Sequence, residues 1–327
     1  MKQTSVRGSL RVSELGLGTA QLGNLSRVTT DDEAAGAVEA AWAKGIRYFD
    51  TAPHYGLGLS ERRVGRALVQ RPRKEFIVST KVGRLLEPSP ESAAQRDSGG
   101  FVVAADHRRV WDFSRDGVLR SIEESLRRLR MDSIDIVYAH DPDDFAEEVM
   151  NEALPALIEL REQGVVRAVG AGMNQTAMLA EMIRRCDVDI LMCAGRYTLL
   201  DDSAADELLP LALERDVALV AAGVYNSGLL SMPNPQPDSW YDYRPATRRE
   251  VESARDIARL CERHGVKLPE AAIQFPLQHP AVAAVVVGCR DTTQVREAVA
   301  RYRALIPPEL WLELAALRAA GAKGGES

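Results

Sequence analysis

Four side chains with complementary proton chemistry occur after successive short apolar segments: Asp50, Tyr55, Lys81 and His140. A free phenol has a pKa of about 10 and is a poor base at neutral pH. A nearby lysine ammonium stabilises the phenolate, and an aspartate paired with the lysine holds it charged and in place. A histidine beside the phenol orients a substrate oxygen and shares the proton. If the fold brings them together, these residues can move a proton to or from a substrate hydroxyl.

Each of these residues also has an ordinary structural interpretation when it is considered alone. Asp50 fits a turn cap, Lys81 a surface lysine, His140 a hydrogen-bonded core histidine and Tyr55 a packing residue. The predicted positions of the secondary-structure elements therefore decide between a site and four separate structural roles.

Short apolar segments alternate with amphipathic helical patterns from end to end, which predicts parallel strands joined by helices. A capping box at 30–33 opens the first helix, and Ser60 and Ser114 are predicted caps of the next two. The predicted strands are 45–50, 76–81, 134–140, 165–170, 190–193, 218–222 and 284–287, preceded by a first strand at 15–18.

Eight strand–helix units of similar size predict a (β/α)8 TIM barrel, formed as a single domain over residues 1–327. Long loops follow strand three, at 84–113, and strand seven, at 226–246, and an extra C-terminal helix begins near 308. An open doubly wound sheet is the alternative, but the turn at 16–21 lacks the third glycine of a dinucleotide-binding GxGxxG motif.

The barrel prediction brings the reactive residues together, because the C-terminal ends of barrel strands face the active site. Asp50, Lys81 and His140 end predicted strands two, three and four, and Tyr55 lies in the loop after strand two. We therefore expect one catalytic site at this rim.

The composition limits the partners of the protein. The net charge is -6, and the basic residues form no separate block, which argues against a nucleic-acid partner. No segment of about 18 apolar residues is present that would span a membrane. The four cysteines lack metal-ligand spacing, so we expect no metal, reduced thiols and a cytoplasmic location. A monomer or small homo-oligomer acting on a small molecule is the expectation.

The motifs at these strand ends resemble those of the aldo-keto reductase family over essentially the whole chain. They include the segments at 16–19, 49–56, 79–81, 125–135 and 140–142. The resemblance implies an Asp50–Tyr55–Lys81–His140 tetrad and hydride transfer with a nicotinamide dinucleotide. It makes Tyr55 the general acid in reduction and the general base in oxidation, with its pKa lowered by Lys81. His140 then orients the substrate oxygen.

The same resemblance implies a set of residues that bind NAD or NADP, with no preference decided between them. The family pattern makes the loop at 223–228 a cradle for the pyrophosphate and Arg290 a partner for a 2′-phosphate. This sequence departs from the pattern at Ala194 and Ala298, where the family commonly has Gln and Asn. The implied cofactor residues are Gly18, Thr19, Asp50, Asn174, Val224, Tyr225, Asn226, Ser227, Gly228, Leu229, Gly288, Arg290 and Gln294.

Three segments, at 170–174, 196–201 and 223–228, resemble the aldose 1-dehydrogenase branch of the family. Members of that branch oxidise a ring hemiacetal to a lactone, and pyridoxal 4-dehydrogenase is close to them. The expected substrate is therefore an aldose such as L-fucose or a D-threo-aldose. His54, Trp111 and Asp112 are the candidate substrate contacts. The alternatives are an NADPH-dependent reductase of aldehydes and ketones, a pyridoxal dehydrogenase, or a regulatory protein that binds the cofactor and turns over slowly.

Overall fold

Eight parallel strands form a closed barrel in the computed structural model, which describes residues 1–8 and 10–323. Each strand pairs with its sequence neighbour, and the last pairs with the first, so no edge remains open. The barrel strands are β1 (Leu15–Gly18), β2 (Tyr48–Asp50), β3 (Ile77–Val82), β4 (Ile136–His140), β5 (Ala168–Met173), β6 (Ile190–Ala194), β7 (Ala218–Ala222) and β8 (Val282–Gly288). The predicted (β/α)8 fold is confirmed; the single-domain boundary at 1–327 stays a prediction.

Helices follow the strands and cover the outside of the barrel. They run Asp31–Ala43, Leu59–Leu68, Arg115–Leu129, Ala146–Glu148, Leu154–Glu162, Thr176–Arg185, Leu208–Glu214, Arg248–Arg263, Leu268–Gln274, Thr292–Arg303 and Pro308–Lys323. A π-helical segment, Val149–Ala153, joins the two pieces between β4 and β5. Short 3₁₀ turns are Ala20–Gly23, Arg73–Glu75, Pro90–Ser92, Ser203–Ala205, Asn226–Gly228 and Phe275–Gln278.

Three antiparallel hairpins lie outside the barrel sheet. The long loop after β3 contains Arg84–Pro88 paired with His107–Trp111, and the loop after β7 contains Trp240–Tyr241 paired with Arg244–Pro245. At the N-terminus Gln3–Ser5 pairs with Arg11–Ser13. Val6, Leu10 and Val12 of this first hairpin join the apolar cluster of the lower barrel interior, so the hairpin closes the end opposite the strand C-termini.

Two predicted helix starts are confirmed by their side-chain caps. Thr30 and Glu33 form a reciprocal capping box, and the Ser114 hydroxyl accepts from the Gly117 N–H. The predicted Ser60 cap is wrong, because Gly58, with φ +77°, takes that position. Ser60 lies inside the helix, where its hydroxyl donates to the Thr19 carbonyl at 2.8 Å and so ties the helix to the end of β1.

Candidate active site

The side chains of Asp50 and Lys81 form a buried ion pair at the C-terminal ends of β2 and β3. Lys81 Nζ donates to Asp50 Oδ2 at 2.8 Å, to Asp50 Oδ1 at 2.9 Å and to the Thr51 carbonyl at 2.9 Å. Their side chains are 2% and 4% exposed, so the charges meet in a medium that screens them weakly. Burial is the largest single effect and lowers the pKa of Lys81, but the charges and hydrogen bonds of Asp50 and Tyr55 together outweigh it, so the pKa is raised overall. Lys81 is therefore held as an ammonium.

Tyr55 lies directly beside this ammonium. Lys81 Nζ is 4.8 Å from the centre of the Tyr55 ring. Burial raises the pKa of Tyr55 to about 12, although the charge of Lys81 acts to lower it. Lys81 therefore acts in the expected direction, but the desolvation of the phenolate is the larger effect, so the pKa is raised overall. At neutral pH Tyr55 is a protonated phenol, and Lys81 reduces the cost of its ionisation.

Two neutral histidines complete the wall around Tyr55. The ring centres of His140 and Tyr55 are 5.8 Å apart, and that of His54 lies 5.6 Å from His140. Burial, with the charge of Arg84 next in size, lowers the pKa of His54 to about 3 and that of His140 well below its usual range. His54 Nδ1 is buried and has no hydrogen-bond partner among the residues that the structure describes. Both rings can therefore donate and accept hydrogen bonds as neutral imidazoles.

A chain of buried hydroxyl groups supports Asp50 from inside the barrel. Ser79 Oγ donates to Asp50 Oδ1 at 2.7 Å and lies 3.2 Å from the Tyr48 hydroxyl, which is 3.1 Å from that of Tyr138. The carboxylate only accepts hydrogen bonds, so the single Ser79 proton is directed at Asp50. The Tyr48 hydroxyl then donates to Ser79 Oγ, and the Tyr138 hydroxyl donates to the Tyr48 hydroxyl. This chain orders the carboxylate that holds Lys81.

An ion pair that the sequence analysis missed lies at the open side of the same cluster. Arg84 donates to Asp141 Oδ2 at 2.6 Å, and this oxygen is 3.5 Å from His140 Nε2. The Arg84 guanidinium lies 4.5 Å from the Trp111 ring centre, across the hairpin. Both residues stand within two positions of a barrel strand end, and that position was the signal available in the sequence.

The three candidate substrate residues are placed differently. His54 lies in the wall beside Tyr55, and Trp111, 44% exposed, lies next to Arg84 at the rim. Asp112 does not face the site, since its Oδ1 accepts from the N–H and hydroxyl of Ser114. We therefore correct the assignment of Asp112 to a turn that precedes a helix. Phe101, which the sequence analysis did not single out, packs against His54 at 5.3 Å between ring centres.

The predicted cofactor residues follow the ends of β1, β2, β5, β7 and β8, on the same rim as Tyr55. Thr19 is fully buried and donates to the Asp50 carbonyl at 2.7 Å, and Leu229 is buried in the outer core. Asn174 follows β5 directly, and its carbonyl accepts from Arg196 Nε. The exposed Gly288 leaves room for the Gln21 amide, which would lie 2.4 Å from any added Cβ. The Oε1 atom of this amide is buried and has no partner within residues 1–8 and 10–323.

The loop after β7 has the features of a phosphate cradle. Within residues 1–8 and 10–323, the N–H groups of Val224 and Tyr225 donate to no protein acceptor. Asn226 Oδ1 is buried without a partner, and Asn226 and Ser227 have left-handed φ angles of 44° and 56°. Successive N–H groups in such turns form concave anion sites. Within the described residues, the chain therefore offers the unpaired backbone donors of Val224 and Tyr225 where the pyrophosphate of a dinucleotide is expected.

The Arg290 side chain is bonded to the loop after β1. Its guanidinium donates to the carbonyls of Leu25 at 2.7 Å and Arg27 at 3.0 Å and also contacts the hydroxyl of Thr29. Gln294 Oε1 accepts from the Arg290 N–H at 2.8 Å, so it fixes this turn. The predicted pairing of Arg290 with a 2′-phosphate is therefore not supported, because acceptors of the loop after β1 occupy the guanidinium.

No group of three or more His, Cys, Asp or Glu side chains suited to a metal ion is found within the described part of the chain. None of the described helices is long and apolar enough to cross a membrane.

With the barrel and its rim described, comparison with known proteins identifies the family. The model of the aldo/keto reductase family matches residues 14–319. The chain belongs to the aldo-keto reductase family. It is therefore an oxidoreductase that uses a nicotinamide dinucleotide and a small carbonyl or sugar-like substrate, as members of that family do.

Among its curated relatives, this aldo-keto reductase is 48% identical to a D-threo-aldose 1-dehydrogenase from Pseudomonas sp, over 94% of this chain and 95% of the relative. It is 36% identical to a pyridoxal 4-dehydrogenase from Microbacterium luteolum, over 96% of each chain. The holo structure of an aldo-keto reductase from Bacillus halodurans aligns with a TM-score of 0.75 at 29% identity, covering 97% of this chain and 96% of the other.

Proposed function

We propose that this aldo-keto reductase oxidises an aldose at its anomeric carbon and releases the lactone, with NAD as the oxidant. The observation that carries the proposal is the 48% identity to a D-threo-aldose 1-dehydrogenase over 94% of the chain. The reaction removes the O1 proton and the C1 hydrogen with two electrons. The bound nicotinamide supplies the chemistry of accepting that hydrogen and its electron pair.

In this proposal Tyr55 takes the O1 proton. With its pKa raised to about 12 by burial, the phenol is protonated at neutral pH and is ready to act as an acid in the reverse direction. Oxidation instead needs the phenolate. At pH values below the pKa, the phenolate population rises about tenfold for each unit by which the pH increases. Lys81 supports this state electrostatically, and Asp50 keeps Lys81 charged and fixed.

We assign His140 and His54 to the orientation of the substrate oxygens. His140 is neutral and lies beside Tyr55, so it can donate one hydrogen bond to O1 without competing for the proton. His54 has a buried Nδ1 with no protein partner, which suits a second substrate hydroxyl. During oxidation to the lactone, these contacts hold O1 beside the Tyr55 phenol while the O1 proton is transferred to Tyr55.

The cofactor proposal is NAD rather than NADP. A 2′-phosphate needs a cationic partner, and Arg290 instead donates to the carbonyls of Leu25 and Arg27. The loop cradle after β7 would hold the pyrophosphate, which both cofactors share. We also propose a reducing compartment such as the cytoplasm, which suits the four free cysteines.

A pyridoxal dehydrogenase is the second candidate, favoured by the 36% identity to pyridoxal 4-dehydrogenase over 96% of the chain. Pyridoxal also forms a cyclic hemiacetal, so its oxidation to a lactone uses the same proton transfer.

A panel of substrates distinguishes the aldose dehydrogenase from the pyridoxal dehydrogenase and from a reductase of simple aldehydes. Purified protein is assayed with NAD and with NADP against L-fucose, other aldoses, pyridoxal and simple aldehydes, and nicotinamide reduction or oxidation is followed by absorbance. We expect reduction of NAD with L-fucose or another aldose, and product identification as a lactone. Activity confined to pyridoxal would favour the second candidate. Reduction of simple aldehydes with NADPH, and none with sugars, would overturn both.

A further inference from the structure

Within the described residues, Arg84 has fewer protein partners than Arg290, the arginine that follows β8. Arg290 donates to three backbone carbonyls and a hydroxyl, whereas Arg84 makes a single hydrogen bond, to Asp141, within the described residues. Arg84 Nε is buried and has no partner in the described part of the chain, and the Arg84 side chain is only 14% exposed. A guanidinium has five N–H donors, so most of its hydrogen-bonding capacity is unused.

This unused capacity lies next to the reacting groups. Arg84 follows β3 by two positions, and Asp141 follows His140 directly at the end of β4. Asp141 Oδ2 lies 3.5 Å from His140 Nε2, so an oxygen bound at His140 has the ion pair as its neighbour. Trp111 packs its ring on the Arg84 guanidinium and limits the positions that the guanidinium can adopt.

The Asp141 backbone is held in an unusual conformation at this point. Its φ is +42°, in the left-handed region that non-glycine residues seldom occupy. Its N–H donates to the Gly172 carbonyl of β5 at 3.0 Å, which fixes the turn. Strained backbone of this kind is concentrated at functional sites. The turn aims the carboxylate at Arg84 rather than along the outer surface.

The chemistry of the pair selects its ligand. A hydroxyl donates to a carboxylate and accepts from a guanidinium, so one hydroxyl can bind both partners. A substrate phosphate or carboxylate would meet the negative charge of Asp141, and an ammonium would meet Arg84. An uncharged polyol therefore fits best.

We propose that Arg84 and Asp141 bind the C2 hydroxyl of the aldose and thereby select substrates that carry it in the correct configuration. The inference rests on the proposed aldose oxidation. With O1 at Tyr55 and His140, the hydroxyl on the adjacent carbon is the substrate oxygen that reaches the neighbouring pair. Arg84 and Asp141 are then specificity-determining residues, and neither takes part in the proton transfer.

The test compares L-fucose with 2-deoxy-L-fucose at saturating NAD in wild type, Arg84→Gln and Asp141→Asn. We expect wild type to prefer L-fucose by roughly tenfold to hundredfold in kcat/KM, the usual worth of hydrogen bonds to charged groups. Each variant should lose most of its kcat/KM for L-fucose and change by less than about threefold for the deoxy sugar. The matched control is Arg108→Gln, an exposed arginine on the partner strand of the same hairpin, which should keep the wild-type preference.

The outcomes separate this inference from the proposed function. If wild type oxidises no aldose, the proposed function fails, and the hydroxyl assignment fails with it. If wild type oxidises L-fucose but the variants lose activity equally on both sugars, only the C2-hydroxyl assignment is overturned. Asp141→Asn keeps the shape of the side chain, and thermal melting of each variant identifies loss of fold. Collapse of the preference in both variants, with unchanged melting, supports the assignment.

Discussion

The Lys81 ammonium lies 2.8 Å from the Asp50 carboxylate inside the barrel, where both side chains are almost sealed from solvent. Each charge compensates the other, and neither has water to replace a lost partner. The same pair provides the positive charge beside the Tyr55 ring. The stability of the strand ends and the chemistry proposed for Tyr55 therefore depend on one interaction.

Removing one partner of this pair should be costly. We expect Asp50→Asn to lower the free energy of unfolding by about 3–5 kcal/mol, because it leaves a buried ammonium without its counter-charge. The double variant Asp50→Asn/Lys81→Met should recover much of this loss. Urea unfolding measures both, with the exposed pair variant Glu123→Gln as control, expected to change stability by less than about 1 kcal/mol. An equally small effect for Asp50→Asn would contradict the coupling.

Ser79 supplies the donor that orders Asp50. Ser79→Ala should destabilise the protein by about 1.5–3 kcal/mol, the loss of a hydrogen bond to a charged group, and should lower kcat more than it changes KM. Ser121 is a matched control, since it is also buried but its hydroxyl has no partner among the described residues. Ser121→Ala should leave both quantities close to wild type. Equal effects of the two substitutions would argue against the hydroxyl chain.

Arg290 should matter for the fold and not for the choice of cofactor. Arg290→Leu removes a guanidinium bonded to the loop after β1, so we expect a loss of about 2–4 kcal/mol in stability. The ratio of kcat/KM for NAD and NADP should stay within about twofold of wild type. Arg248→Leu, at an exposed helix start, serves as the control. A selective tenfold loss with NADP would show that Arg290 binds the 2′-phosphate after all.

His54 should make the protein less stable in acid. Its folded-state pKa of about 3 lies below the ordinary value of 6.5, so between these values the unfolded chain binds the extra proton. Stability from this group is present above pH 6.5 and falls by about 2 kcal/mol between pH 6.5 and 5. The variant His54→Asn should lose correspondingly less over that range in urea titrations, while His107→Asn keeps the wild-type decline. Parallel declines for His54→Asn and wild type would refute this.

The order of the barrel elements could be predicted from sequence because apolar strands and capped helices alternate locally. β1 and β7 have the predicted bounds, whereas β5 begins three residues later than predicted. The predicted strand begins at Val165 because Val165 and Val166 are β-branched. The strand in the structure instead contains Gly170 and Gly172. Glycine has weak strand propensity, so these residues are extended because they pair with the neighbouring strands β4 and β6 of the barrel.

Elements stabilised by distant contacts were missed for the same reason. The helix Leu268–Gln274 buries most of its side chains, so it lacks an amphipathic pattern. The hairpin after β3 pairs strands separated by 18 residues, and its pairing carries no turn signal in the sequence. This hairpin contributes Arg84 and Trp111 to the rim. The proximity of Asp50, Lys81 and His140 could be predicted from their strand ends. Arg84 and Asp141 also follow strand ends, but their pairing depends on a loop conformation that the sequence pattern does not reveal.

The most direct test of the account follows the C1 hydrogen. Wild type and Tyr55→Phe are incubated with L-[1-²H]fucose and NAD, and the nicotinamide product is analysed by mass spectrometry. We predict deuterium in the reduced nicotinamide and a lactone with wild type, at a rate that rises with pH between 7 and 10. Tyr55→Phe should bind NAD normally and turn over at least about a hundredfold more slowly. Unchanged turnover in Tyr55→Phe, or release of the deuterium to solvent, would contradict the account.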